Sequence, residues 1–426
     1  METDASSDER TADRRTLMLA LGVTMLVQFA QHAARPMASY RALGLEASVE
    51  QLGYLAFSFA VLAIAVAIPI GRFVDRRGAR LTTVGGIALL GAAAAAHALV
   101  TDFVALIAAH TALGLGLIGA VVGLQAIVAH AGPSDGADAR FGMFGAVISL
   151  GQVLGPIVAG GLAELTIALD AAQTADPYGT APTFVLAGAL CAAGALAALR
   201  LPRHPGGTRA ARTPATAADP APAVGDPGPG GVDRTSAARL GLGAVLRAPH
   251  MGKALWASMV VLTTTDVLTV YLPAIGAERE WSVAFVSILL AVRAAASFAV
   301  RVATGPLVRM LGRRPLLVSA CGIGAVALLL MTPALPGWVA LVLMGIAGLV
   351  LGIGQPLTMA WVSRSAPDEL RATALAVRLT ANRVGQSLIP VAVGAVAAVA
   401  GSGAVFIVLG ALLVSTSAAV ARSNLR

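Results

Sequence analysis

Lysine occurs once in this chain, at Lys253, and cysteine twice, at Cys191 and Cys321. A nucleotide-driven pump needs a phosphate-binding loop of the form G-x-x-x-x-G-K-[ST], and Lys253 lies in none. The two cysteines sit alone inside apolar runs, too isolated for a disulfide framework or a metal site, and read as small packing residues. No metal and no cofactor is expected. Charge is also scarce: 12% of the 426 residues are charged against 57% hydrophobic, with a mean hydropathy of +0.81, a balance that excludes a water-soluble globule. His-Glu-x-x-His does not occur, and no catalytic residue is assigned.

What the chain has instead is long apolar runs. About twelve stretches of roughly 20 residues, each able to cross the hydrocarbon core, follow one another from 16–40 to 402–421. Backbone polar groups cannot go unpaired in lipid, so runs of this length are helices, and the fold class is an all-α polytopic membrane protein. The start METDASSDERTADRRTL is polar and acidic and lacks a cleavage site, which predicts a retained first helix. Midway, LPRHPGGTRAARTPATAADPAPAVGDPGPGGVDRTSAARLG is rich in Pro, Gly, Ala and Arg without apolar periodicity and reads as a disordered linker. The expected organisation is a tail over 1–15, a six-helix bundle over 16–200, the linker over 201–253, a second bundle over 254–421 and a tail over 422–426.

The formal charge of +8 does not point to nucleic acid, because its placement follows the membrane. Roughly 24 of the 30 Lys and Arg fall in the tails and every second connection. About three fall in the opposite connections (Arg35, Arg41 and Arg279), and three within helices. This bias predicts both termini in the cytoplasm, with the chain a monomer in the plasma or inner membrane.

The two halves repeat. GRFVDRRGAR begins at Gly71 and GPLVRMLGRR at Gly305, and the second glycines, Gly78 and Gly312, keep the same offset of 234. The same register places GQVLGPIVAG, from Gly151, over GQSLIPVAVG, from Gly385, and Pro133 over Pro367. A gap-free register through three separate places predicts a six-plus-six repeat. The loop between the second and third helices needs Gly71 for close packing and Gly78 for a sharp turn, while its arginines face lipid headgroups.

The pattern G-x-x-x-D-R-x-G-x-R in GRFVDRRGAR, with GPLVRMLGRR as a weaker copy, resembles the signature loop of the major facilitator superfamily. Twelve helices, a central linker and internal termini are similar to that family over nearly the whole chain. The resemblance implies that Gly71, Asp75, Arg76, Gly78 and Arg80, with Gly305, Gly312 and Arg313 in the second copy, form a conformational switch between the halves. GQVLGPIVAGG in the fifth helix resembles the glycine-proline motif of the antiporter branches, which include drug–proton exporters. It departs from GP-x-x-GG by Ala159 at the first closing position. Gly151, Gly155, Pro156, Gly160 and Gly161 are its residues, with contact to the other half as the family role and plain helix packing as the alternative. In HTALGLG, His110 stands where the family often has arginine, which puts that proton-linked role in doubt.

Candidate site residues come from polar arcs on otherwise apolar helices. In the eleventh helix Arg378, Asn382, Arg383 and Gln386 share one face; in the first, Gln28, Gln31, His32, Arg35 and Ser39 do so; in the eighth, Arg293, Ser297 and Arg301 are spaced by four. Asp266 falls near the middle of the seventh helix. A charge at that depth costs about 2.5–3.5 kcal/mol on insertion scales, so these groups face a wet cavity or each other. The register places Asp266 over His32, and these two are the candidates for proton coupling. Asp266 is either a transport residue or the structural partner of Arg293 or Arg383, and the two roles are compatible.

These readings predict a secondary transporter of a small organic solute working by alternating access. The fifth-helix motif favours proton-coupled efflux by antiport. Surplus arginine at depth favours the alternative, uptake of an organic anion, and a membrane enzyme or receptor is a remote third possibility.

Overall fold

The computed structural model describes residues 2–132, 136–169, 176–202, 243–366 and 370–423. The first bundle comprises α1 (Glu2–Gly44), α2 (Val49–Arg77), α3 (Ala79–His97), α4 (Phe103–His130), α5 (Ala137–Leu169) and α6 (Ala181–Ala198). The second comprises α7 (Met251–Glu278), α8 (Val283–Leu311), α9 (Arg313–Leu330), α10 (Gly337–Ser365), α11 (Arg371–Ala400) and α12 (Ala404–Ala421). All twelve are long and apolar enough to span a membrane, and the described residues contain no strand. Large apolar side chains such as Leu99, Val104, Met310 and Val399 lie exposed on the outside, the arrangement of a protein whose outer solvent is lipid.

Some boundaries differ from the expected ones. Helix α1 starts within the expected tail, at Glu2, and the second bundle starts before 254, with α7 opening at Met251 after a helical turn over 243–247. The remaining linker, 203–242, lies outside the described residues, as do Pro133, Pro367 and the end of the final tail.

The repeat is present in the element boundaries themselves. Helices α2 and α8 start at Val49 and Val283 and end at Arg77 and Leu311, and α4 and α10 start at Phe103 and Gly337, all 234 residues apart. Local signals repeat with them. Ser48 and Ser282 accept the backbone N–H groups of Gln51 and Phe285 and so cap α2 and α8. Glu46 and Glu280, before those caps, both have left-handed φ, 59° and 57°. Gly78 (φ 88°) and Gly312 (φ 78°) make the sharp turns into α3 and α9, a conformation open to glycine and costly for other residues.

Both termini lie at one end of the bundles, the tail end; the opposite end carries the α1–α2 and α7–α8 connections and is called the loop end. Helices α2 and α11 pack together across the bundles, and so do α5 and α8, its counterpart under the repeat. A Cβ on Gly160 would lie 3.0 Å from the Ala284 Cα, and one on Gly394 would lie 3.2 Å from the Glu50 Cα, so the two seams are copies of one backbone contact. Both are at the loop end, where the bundles are closed on each other.

Candidate functional site

Between the bundles lies a cavity of about 370 Å³ that runs from the level of Arg35 and Asp266 toward the tail end. Of the expected site residues, Gln28, Gln31, His32, Arg35, Asp266, Arg293, Arg383 and Gln386 line it. Arg378 and Asn382 do not; Asn382 is instead buried, with its Oδ1 unpartnered among the described residues. Periodicity put them on one arc with Arg383, but only the part of α11 nearest α7 reaches the cavity.

The charged cluster is built from three helices. Arg35 Nη1 on α1 donates to Asp266 Oδ1 on α7 at 2.8 Å, and both side chains are largely buried, 12% and 15% exposed. Gln386 on α11 donates from Nε2 to the other carboxylate oxygen, and its own Oε1 accepts from Arg383 Nη1 at 3.2 Å. The partner of Asp266 is therefore Arg35, in place of the expected Arg293 or Arg383. Arg35 also does not sit in a connection, as the charge count assumed: it lies within α1, its guanidinium 4.5 Å from the Phe59 ring. A side chain that long reaches the neighbouring bundle from inside the helix, which a count by segment cannot register.

On α8, Arg301 Nη2 donates to Gln355 Oε1 at 3.2 Å and Ser297 donates to the Gly348 carbonyl at 2.7 Å. Arg293 is 7% exposed, and its Nε has no partner among the described residues. On α1, the His32 Nδ1 lies 2.7 Å from the Gln28 carbonyl, which makes that nitrogen a donor and leaves Nε2 as the acceptor. Gln31 Nε2 donates to Gln28 Oε1 at 3.1 Å. His32 and Asp266 line one cavity, but the group that crosses to Asp266 is Arg35, nearly one turn beyond His32.

The fifth-helix motif divides its contacts. Gly151 and Gly155 press against α1 of the same bundle: a Cβ on them would lie 2.9 Å from the Phe29 backbone N and 2.8 Å from the Ala33 N. Only Gly160 meets the other half, and Gly161 has nothing within 4 Å. Helix α5 continues through Pro156, which is buried. In the signature loop, Gly71 has open space around it in place of the expected close neighbour, and Arg76, Arg80 and Arg313 have no hydrogen-bond or ion-pair partner among the described residues. The side chain of Asp75 lies outside the described set.

Two features escaped the sequence reading. Gln355 lines the cavity and pairs with Arg301, although a lone glutamine in an apolar run gave no arc. His97 and His110 form a fully buried pair, Nε2 to Nδ1 at 3.1 Å, with His97 Nδ1 donating to the Ala93 carbonyl at 2.7 Å. That pair supports the back of Phe59, whose ring centroid is 5.3 Å from that of His110.

The Major Facilitator Superfamily profile matches residues 17–390. The chain belongs to this superfamily. Among solved structures it is similar to the nucleoside transporter NupG (TM-score 0.72, 14% identity, covering 95% of this chain and 98% of that one). It is also similar to a D-xylose–proton symporter (0.72, 15%, 95% and 97%). A third is a bacterial homologue of the human lysosomal transporter Spinster, inward-facing and unoccupied (0.70, 16%, 96% and 95%). At these identities the likeness is one of fold. No curated protein matches the sequence. A superfamily member with this fold is a multi-pass membrane protein and a secondary transporter that works by alternating access.

Proposed function

We propose that this superfamily member is a proton-linked transporter that binds a small organic solute in the cavity between its bundles and exports it by antiport. One observation carries the proton link: the Arg35–Asp266 pair joins α1 to α7 across the two halves, at the closed end of the cavity. Opening the loop end separates α1 from α7 and so breaks this pair. A carboxylate that loses its arginine loses the charge that favours its ionised form, whereas a protonated one is neutral and holds arginine weakly. Proton uptake by Asp266 and opening at the loop end are thereby linked. With the termini in the cytoplasm, as the arginine placement favours, the conformation described faces inward.

Export rests on the fifth-helix motif, whose Gly160 supports the loop-end seam. Uptake of an organic anion is the second reading, favoured by four arginines against one aspartate in the cavity lining. Proteoliposomes with an imposed pH gradient distinguish the two: antiport drives solute against the proton flow, and symport drives it with that flow.

The proton link has its own test, in which a cysteine replaces Ser287, buried in the α5–α8 seam, and its maleimide labelling reports loop-end opening. Labelling, normalised to that of a permanently exposed cysteine at the same pH, should rise as pH falls, and Asp266→Asn should abolish that dependence. An unchanged pH response in Asp266→Asn would sink the proposal.

A further inference from the structure

The cavity has two chemically unlike walls. The first bundle contributes Gln28, Gln31, His32, Gln152 and Phe59, and its one charged member, Arg35, is already committed to Asp266. That wall offers amides, an imidazole and an aromatic face, and no free charge.

The second bundle contributes Asp266, Arg293, Arg301 and Arg383. Asp266 is taken by Arg35 and Gln386. Arg383 and Arg301 each donate to a glutamine, a neutral partner that satisfies a hydrogen bond without cancelling charge. Arg293 lacks even that: it is more than nine-tenths buried, lines the cavity, and its Nε has no partner among the described residues. Asp266 acts on it only through space, being paired to Arg35, so this buried guanidinium has no ion-paired acid of its own, a costly arrangement relieved when an anion binds. Its planar fork matches the two oxygens of a carboxylate or phosphate.

We infer that the transported solute is an organic anion bound in a fixed polarity, with its carboxylate or phosphate on Arg293 and its uncharged part against Phe59 and the glutamines of the first bundle. The inference rests on the transporter reading of the cavity and holds for either direction of transport. It explains the division of the walls: a solute with one anionic end and one neutral end touches both bundles, as a ligand must if it is to bias their relative position. Arg383 adds positive field beside the anion while remaining tethered to Gln386. A lipophilic cation finds no free carboxylate among the described residues that line the cavity.

The test is binding rather than transport, so that its failure leaves the transporter reading standing. The full-length protein in detergent is titrated with benzoate, phenyl phosphate, sodium chloride at matched ionic strength and tetraphenylphosphonium, and thermal stabilisation is followed. Benzoate or phenyl phosphate should stabilise beyond chloride, and whichever binds better tells carboxylate from phosphate. Arg293→Gln should weaken that binding by about tenfold or more, the scale of one lost charge-assisted contact, and Arg293→Lys should restore part of it. Gln28→Leu should weaken both aromatic anions without abolishing their charge preference. Stabilisation by tetraphenylphosphonium alone, equal protection by chloride, no stabilisation by either aromatic anion, or unchanged anion affinity in a folded Arg293→Gln protein would each overturn the inference.

Discussion

Gly160 on α5 and Ala284 on α8 lie in backbone contact across the two bundles, and Gly394 with Glu50 repeats that contact 234 residues away in register. The seams therefore open and close together, because each bundle carries one member of each pair. A valine at Gly394 would collide with the Tyr271 hydroxyl and the Glu50 backbone, 2.5 Å and 3.0 Å from its Cβ. Overpacking of this kind costs about 1–3 kcal/mol, enough to shift a two-state balance roughly 5- to 150-fold. Gly394→Val should raise labelling of Ser287→Cys, in the other seam, to a corresponding degree. Gly161→Val, with open space around it, should leave labelling unchanged.

The Arg35–Asp266 pair should behave as a buried unit. Removing one member leaves the other charged without its partner, at a cost of about 3–5 kcal/mol in buried pairs. Arg35→Gln should therefore lower the unfolding temperature more than the double variant Arg35→Gln/Asp266→Asn. Gln386 keeps a hydrogen-bond role toward either form of residue 266, so the double variant retains part of the network. Thermal unfolding of the three proteins in one detergent decides this, and equal losses in the single and double variants would contradict it.

The contrast between fold and site shows what a sequence can carry. Helix number, the repeat and the turn glycines Gly78 and Gly312 were legible because each depends on local pattern: run length, a fixed offset, a residue able to take positive φ. The cavity was legible as polar arcs on α1, α8 and α11 and a lone deep acid, Asp266, on α7, since polar groups in lipid must gather. Partnership was not. Arg35 reaches Asp266 because its side chain crosses the seam, and periodicity along one helix says nothing about reach between helices. Asn382 shares an arc with Arg383 yet lies outside the cavity, because an arc is wider than the strip facing it. Gly71 looked like a packing glycine, but a Cβ there would have nothing within 4 Å.

The two turn glycines and Gly71 should separate cleanly on alanine substitution. Gly78 and Gly312 have φ of 88° and 78°, where a Cβ is strained, at a cost of about 1–3 kcal/mol. Gly71 is helical with nothing within 4 Å, so alanine there meets no clash. Gly78→Ala and Gly312→Ala should each lower thermal stability measurably, and Gly71→Ala should not. A loss in Gly71→Ala equal to that in Gly78→Ala would mean that its helix end is packed in the purified protein.

Tyr271 makes a bond beside the α2–α11 seam that the repeat does not copy. Its hydroxyl, fully buried, donates to the Pro390 carbonyl at 2.8 Å and lies where Gly53 of α2 and Gly394 of α11 approach each other. Under the repeat its counterpart is Met37, which has no hydroxyl, so this α7–α11 bond beside the α2–α11 seam has no copy in the first bundle, whereas across the α5–α8 seam Glu164 Oε1 accepts the Ala284 backbone N–H at 3.1 Å. The bond stabilises α11 against α7, and the tyrosine ring fills the space under the crossing with α2. Tyr271→Phe keeps the ring and removes the bond, a change of about 0.5–1.5 kcal/mol. If the tie forms only when the loop end is closed, Tyr271→Phe should raise labelling of Ser287→Cys by roughly two- to tenfold. If it persists in both states, labelling should stay constant while thermal stability falls by the same free energy. The two readouts together assign the tie either to the conformational balance or to the fold.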